Sequence, residues 1–138
     1  MNHVFVAASI LAGMFVFDRF VISKQSSPII ERLKSDIGKI NPEYLDIPIV
    51  ESNTSYTKDK SVIYLCMRNP KTNQFYSYNT LMYVLLHEIA HTESVTYSTD
   101  KHNDEFVSNF DAILSNAIDL GIYDANTSLP PVYCGVAN

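Results

Sequence analysis

Basic residues are in short supply here. Ten Lys and Arg stand against fifteen Asp and Glu, a net charge of −5 over 138 residues. Phosphate backbones are bound by basic faces, so this balance disfavours a nucleic-acid partner. Cysteine is scarcer still. The only two, Cys66 and Cys134, lie far apart and lack CxxC spacing, too few for a disulfide-built scaffold. They leave open one bridge in an oxidising compartment or two buried free thiols. Repeats and low-complexity segments are absent, and the length suffices for one compact domain with a core of its own.

Charge is missing altogether from Val4 to Phe17, and after Asp18 and Arg19 the apolar run resumes at Phe20-Val21-Ile22. Counted to Ile22, the stretch matches the roughly 20 residues of a spanning helix. A cleaved signal peptide would need a basic opening and a small-residue cleavage site, and this chain has Met-Asn-His and nothing like Ala-x-Ala. The expectation is a single-pass transmembrane anchor over residues 1–22, a linker over 23–27 and a domain over 28–138. Arg19, Lys24, Arg32 and Lys34 follow the apolar run, which puts the domain on the cytoplasmic side. The sequons at Asn53 and Asn126 argue the other way, but such tripeptides are common by chance.

Beyond the linker, Ser27-Pro28 opens a helix whose apolar residues Ile29, Leu33, Ile37 and Ile40 recur at helical spacing. Tyr44 to Glu51 reads as a strand or extended segment, and Ser61 to Met67 is the best strand. A turn follows over Asn69 to Asn73. Asn79 can cap a helix running to Glu93, with Met82, Leu86, Ile89 and Ala90 on its inward side. Asn103 can cap the next helix, with Asp104 and Glu105 favoured by the dipole in its first turn. Phe106, Phe110, Ile113, Leu114, Ala117 and Ile118 give that helix its buried face, and Gly121 ends it. The tail from Ile122 reads as irregular chain packed on the domain.

The first of these two helices carries His87-Glu88-Ile89-Ala90-His91, an H-E-x-x-H string. Residues i and i+4 share a helix face, so both imidazoles can hold one metal ion while Glu88 takes a proton from a zinc-bound water. The chain has four histidines; besides this pair there are His102 and, in the apolar N-terminal stretch, His3. A catalytic zinc takes three protein ligands and leaves one position open. His102 is the expected third ligand, with Glu105 or Asp111 as oxygen alternatives. Cys134 in that role would close the site and make it structural. Asp100, Asp104 and Asp111 are read as solvated or capping groups. Tyr133 or Tyr97 could stabilise the oxyanion, although a buried tyrosine with a satisfied hydroxyl is the commoner case. The strand Ser61–Met67 is expected to offer a sheet edge to an extended substrate.

His87 to His91, followed by His102-Asn103-Asp104-Glu105-Phe106, resembles the minimal zincins of the WLM and SprT-like group. There a phenylalanine four residues after the third histidine starts the next helix, as Phe106 does here. The similarity is closer to small metallopeptidases of large eukaryotic DNA viruses and some protists, which carry runs like Leu120-Gly121-Ile122-Tyr123 and an end like Pro131-Val132-Tyr133-Cys134-Gly135. It covers about residues 60–138. The resemblance implies an α+β zincin-like fold, with the active-site helix under a small sheet and a second helix after the third ligand. It also implies zinc held by His87, His91 and His102, with Glu88 as general base. The departures are a longer gap from His91 to His102 and the absence of the metzincin glycine. The group's DNA-linked substrates are not carried over to an acidic chain. The resulting expectation is a membrane-anchored zinc peptidase acting on a protein or peptide, with a viral source implied by the resemblance. The alternative is a non-catalytic membrane or virion interaction protein that keeps the fold.

Overall fold

The computed structural model describes residues 27–96 and 100–137. The chain divides into two compact units, Met1–Glu31 and Arg32–Asn138, and the described part of the first is the opening of the first helix. Among the described residues no helix is long and apolar enough to cross a membrane. The anchor assigned to residues 1–22 lies outside the described residues. The single-pass membrane localisation is therefore corrected: no described element supplies a span.

Helix α1 runs Pro28–Ile40, with proline at its first position, and buries Leu33 and Ile37 completely. The extended segment expected over Tyr44 to Glu51 is found only from Ile49 on; its start lies in a 3-10 helix, Pro42–Asp46, capped by the Asn41 side chain. Asn41-Pro42 is a cap followed by a fixed φ, which starts a turn rather than a strand. Tyr44 is buried, and its hydroxyl donates to the Glu93 carboxylate. At Gly38 a Cβ would sit 2.8 Å from the Leu45 side-chain tip, so a larger residue there would make the half-exposed Leu45 shift.

Three strands follow, β1 Ile49–Ser52, β2 Tyr56–Lys58 and β3 Val62–Cys66, in the order β1-β3-β2. β1 pairs parallel to β3, with Ile49 opposite Ile63, and β2 pairs antiparallel, with Thr57 opposite Ile63. Ile63 and Leu65 are fully buried, so this face of β3 is the core face, and Thr57 shares it with Ile63. On the opposite face Tyr56 stacks on Tyr64, ring centroids 4.6 Å apart. β3 has a neighbour on both sides. The edge expected to pair with a substrate is therefore not on β3, and the free edges belong to β1 and β2.

Helix α2 spans Tyr78–Glu93 and packs on β2 and β3, and α3, Asp104–Asp119, packs on α2. α2 starts earlier than expected: Ser77 is the cap and accepts from the Thr80 amide at 3.2 Å. Asn79 instead brackets the Asp124 backbone through two hydrogen bonds of 2.8 and 3.0 Å, fastening the chain beyond α3. Asn103 caps α3 as expected, and Gly121 ends it with φ +72°. Leu81, Met82, Leu85, Leu86, Ile89 and Ala90 are almost wholly buried on α2, as are Phe106, Ile113 and Ala117 on α3. Ile118, expected to be buried, is exposed.

The tail is not irregular throughout. Val132–Tyr133 (β4) and Val136–Ala137 (β5) form a hairpin whose turn residues Cys134 and Gly135 both have positive φ. Positive φ at both central residues suits a primed hairpin turn. The disulfide Cys66–Cys134 ties this hairpin to the end of β3 across a separation of 68 residues. Closing so long a loop lowers the entropy of the unfolded chain, so reducing this bond, or replacing both cysteines with alanine, should lower the unfolding free energy by about 2–5 kcal/mol in chemical denaturation.

Candidate metal centre

The helix pitch sets the first half of the centre. α2 is locked in rotation by its buried apolar side, so the four-residue spacing leaves His87 and His91 side by side, ring centroids 5.0 Å apart. His102 comes from the connection to α3, its ring 5.0 Å from His87 and 5.1 Å from His91. One nitrogen from each ring can be chosen so that all three lie within 4.8 Å of one another. Three imidazoles with a fourth side open are the donor set that a catalytic zinc takes, so these residues fit the ion.

Local contacts explain why the long connection delivers His102 there. The Glu105 carboxylate accepts from the Val95 amide at 2.5 Å and the Thr96 amide at 2.9 Å, as well as from the Thr96 hydroxyl. This folds the loop's beginning onto the start of α3. At the other end Asp100 accepts from the His102 amide at 3.0 Å, and the Asn103 cap follows at once. Glu105, considered as a ligand, serves the loop backbone instead, and Cys134 is taken up by its disulfide. Neither they nor Asp111 join the histidine group.

Phe106 lies against all three imidazoles, with ring centroids 4.3 Å from His91, 4.7 Å from His102 and 4.9 Å from His87. Phe110 adds an edge contact to His87 at 5.4 Å. This apolar backing holds the rings and removes water from one side of them. Burial lowers the His87 imidazole to about 4, helped by repulsion from His91 and His102. Burial also lowers His91 to about 4, with His102, Lys101 and Lys60 adding to it. Both rings are thus neutral at pH 7, the form that binds a metal.

Glu88 meets Thr57 of β2 between α2 and the sheet, and is only 6% exposed. Burial raises its carboxyl above the ordinary range, and a hydrogen bond from Thr57 opposes the rise. The Thr57 hydroxyl lies 2.7 Å from Glu88 Oε2 and 3.1 Å from the Glu88 carbonyl oxygen. His87 and Glu88 line a cavity of about 250 Å³ with Thr54, Ser55, Tyr83, Val84, Tyr133, Cys134 and Val136.

Tyr133 therefore borders the same cavity as the acid. Its hydroxyl donates to the Cys66 carbonyl and lies 2.8 Å from Ser55 Oγ, so it also pins the hairpin. Burial pushes its phenol up to about 12, with the Ser55 contact pulling the other way, so it stays protonated at neutral pH. Tyr97 lies outside the described residues. Sequence reasoning missed Thr57 and the cavity walls. Tyr83 and Val84 precede His87 and Glu88 by one helical turn, a spacing that could have flagged them. Thr57 sits in a three-residue strand that carries no usable pattern.

Comparison with known proteins places these residues in a wider set. Residues 56–128 match the model of the WLM domain. The uncharacterized protein 042R of Invertebrate iridescent virus 3 is 35% identical over 113 residues, covering 80% of this chain and 67% of that protein. The uncharacterized protein R325 of Acanthamoeba polyphaga mimivirus is 37% identical over 113 residues, covering 79% of this chain and 54% of its own length. The uncharacterized protein 136R of Invertebrate iridescent virus 6 is 35% identical over 91 residues, covering 64% and 49%. The chain thus spans about two thirds of the first relative and about half of the other two. No solved structure matches it. With the family model matching more than half of its length, the chain belongs to the WLM domain family of zincin-like metallopeptidases.

Proposed function

We propose that residues 28–138 form a zinc-dependent peptidase domain in which His87, His91 and His102 hold the ion and Glu88 is the general base. One observation carries this reading: three imidazole nitrogens within 4.8 Å of one another, beside a buried carboxylate that lines a cavity. When bound, zinc supplies Lewis acidity to the peptide carbonyl and to the attacking water. Glu88 accepts a proton from that water at its carboxylate and returns it to the departing amine. A base raised by burial is suited to that exchange near neutral pH. The substrate is an extended peptide, which the outer edge of β2, next to Glu88, can hold by main-chain hydrogen bonds.

Purified protein should contain one zinc per chain, and His91→Ala or His102→Ala should abolish stoichiometric loading in metal analysis. Glu88→Gln should keep the zinc but slow cleavage of an unstructured peptide library by about 10²–10⁴-fold, the usual worth of a general base. Stoichiometric zinc in a wild-type protein that cleaves nothing would support the non-catalytic interaction reading instead.

The histidine environment also sets a pH response. The folded metal-free protein holds His87 near 4, below its ordinary 6.5, so the unfolded chain binds more protons between those values. The stability associated with neutral His87 is complete above pH 6.5 and is lost as pH falls toward 4. Thermal melts of the metal-free protein should therefore show His87→Gln falling less steeply than wild type across that window.

A further inference from the structure

We propose that Thr57 is the positioning residue for the general base: its hydroxyl holds one oxygen of the Glu88 carboxylate and leaves the other to face the reaction. This rests on the reading of Glu88 as the base and adds a residue that the H-E-x-x-H string does not contain.

The argument begins with the strand register. Thr57 pairs with Ile63, and Ile63 is fully buried on the face that meets α2. The alternation of a strand then directs the Thr57 side chain to that same face, while Tyr56 and Lys58 turn away. Threonine is branched at Cβ, so fixing its methyl group fixes its hydroxyl as well. That hydroxyl reaches Glu88 Oε2 at 2.7 Å and the Glu88 main-chain oxygen at 3.1 Å. It thereby ties the acid's tip to the acid's own backbone, which restricts the torsions between them.

No other side chain or amide among the described residues donates to the Glu88 carboxylate. Oε1 has no protein partner there, and Glu88 lines the cavity. One oxygen is therefore engaged and the other remains available to accept a proton. Without the Thr57 contact, the acid could turn either oxygen, or neither, toward the cavity. A general base must sit within hydrogen-bond reach of the proton it takes, so this torsional freedom would reduce the rate.

The test compares Thr57→Val, which keeps the branched shape and removes the hydroxyl, with Thr57→Ser, which keeps the hydroxyl. In peptide cleavage Thr57→Val should lower kcat roughly 10- to 100-fold with KM nearly unchanged, the scale of a lost hydrogen bond to a charged group. Thr57→Ser should restore most of it, and all three proteins should carry equal zinc. A fall in KM-dependent binding alone, or equal kcat in all three, overturns the proposal. A second measurement needs no activity and no metal. Crystal structures of the metal-free wild type and Thr57→Ser should show a single Glu88 conformer within hydrogen-bond distance of residue 57. Thr57→Val should show Glu88 in more than one conformer, or in a shifted one. A wild-type Glu88 carboxylate lying away from Thr57 overturns the proposal whatever the assays show. A wild-type protein that cleaves no peptide while its crystals show the Thr57 contact would count against the peptidase reading and leave the contact established.

Discussion

The rotation of α2 about its own axis is the constraint on which this molecule depends. Six apolar side chains, Leu81, Met82, Leu85, Leu86, Ile89 and Ala90, are almost wholly removed from water, and the five larger ones each contribute about 1.5–3 kcal/mol relative to exposure. A twist of the helix by even one residue, 100°, would bring several of them to the surface. That cost fixes the helix's polar positions too. His87 and His91 emerge toward the α3 side, and Glu88 emerges toward the sheet. The candidate metal centre and the neighbouring acid are therefore set by the same burial that stabilises the domain, and a core defect along α2 also displaces these residues.

Around that helix the electrostatics are arranged by removal of water rather than by paired charge. The two histidines on α2 are kept neutral chiefly by burial, with His91 and His102 adding to it at His87 and His102, Lys101 and Lys60 adding to it at His91, and Phe106 lies against each ring. Cationic rings on His87 and His91, at 5.0 Å centroid separation, would repel, so the neutral form is the one this packing tolerates for that pair. Glu88 experiences the same desolvation with the opposite consequence, since burial favours a carboxylic acid over a carboxylate. The Thr57 hydroxyl partly offsets this. Apolar surroundings thus leave the two imidazoles neutral and favour the protonated form of the acid.

Much of this was legible in the sequence, and the boundary has a physical basis. The H-E-x-x-H string, the apolar period of α2 and α3, the Asn103 cap, Gly121 and the β3 strand are local patterns, and each appears in the structure at or near its expected place. His102 was chosen because it is the one remaining histidine outside the N-terminal stretch, and the structure brings it to the pair. The misses are non-local or very short. β2 has three residues, of which Thr57 and Lys58 are polar, so no alternation could be counted. The union of Cys66 with Cys134 depends on a hairpin that covers the end of β3, a meeting of segments 68 residues apart. The strand expected at Tyr44 yielded to an Asn-Pro start whose turn chemistry outweighed the strand-forming residues after it. The membrane anchor rested on residue type alone, and among the described residues no helix supplies a span.

The cavity beside Glu88 has walls of two kinds. His87, Glu88, Tyr83 and Val84 come from α2, where any change of backbone disturbs the core. The opposite wall comes from the β1–β2 connection, through Thr54 and Ser55, and from the C-terminal hairpin, through Tyr133, Cys134 and Val136. That hairpin is held by one disulfide, by the Tyr133 hydroxyl and by the Cys134 amide donating to the Tyr76 hydroxyl at 2.8 Å, with little apolar burial of its own. Val132 and Val136 are exposed. Substitution of the exposed Val136 can reshape the cavity at small cost to stability, whereas changes at Cys134 or along the buried side of α2 cannot. Under the proposed peptidase reading, changes in the β1–β2 connection or at exposed hairpin positions can therefore alter what enters the cavity while the histidines and the acid stay in place.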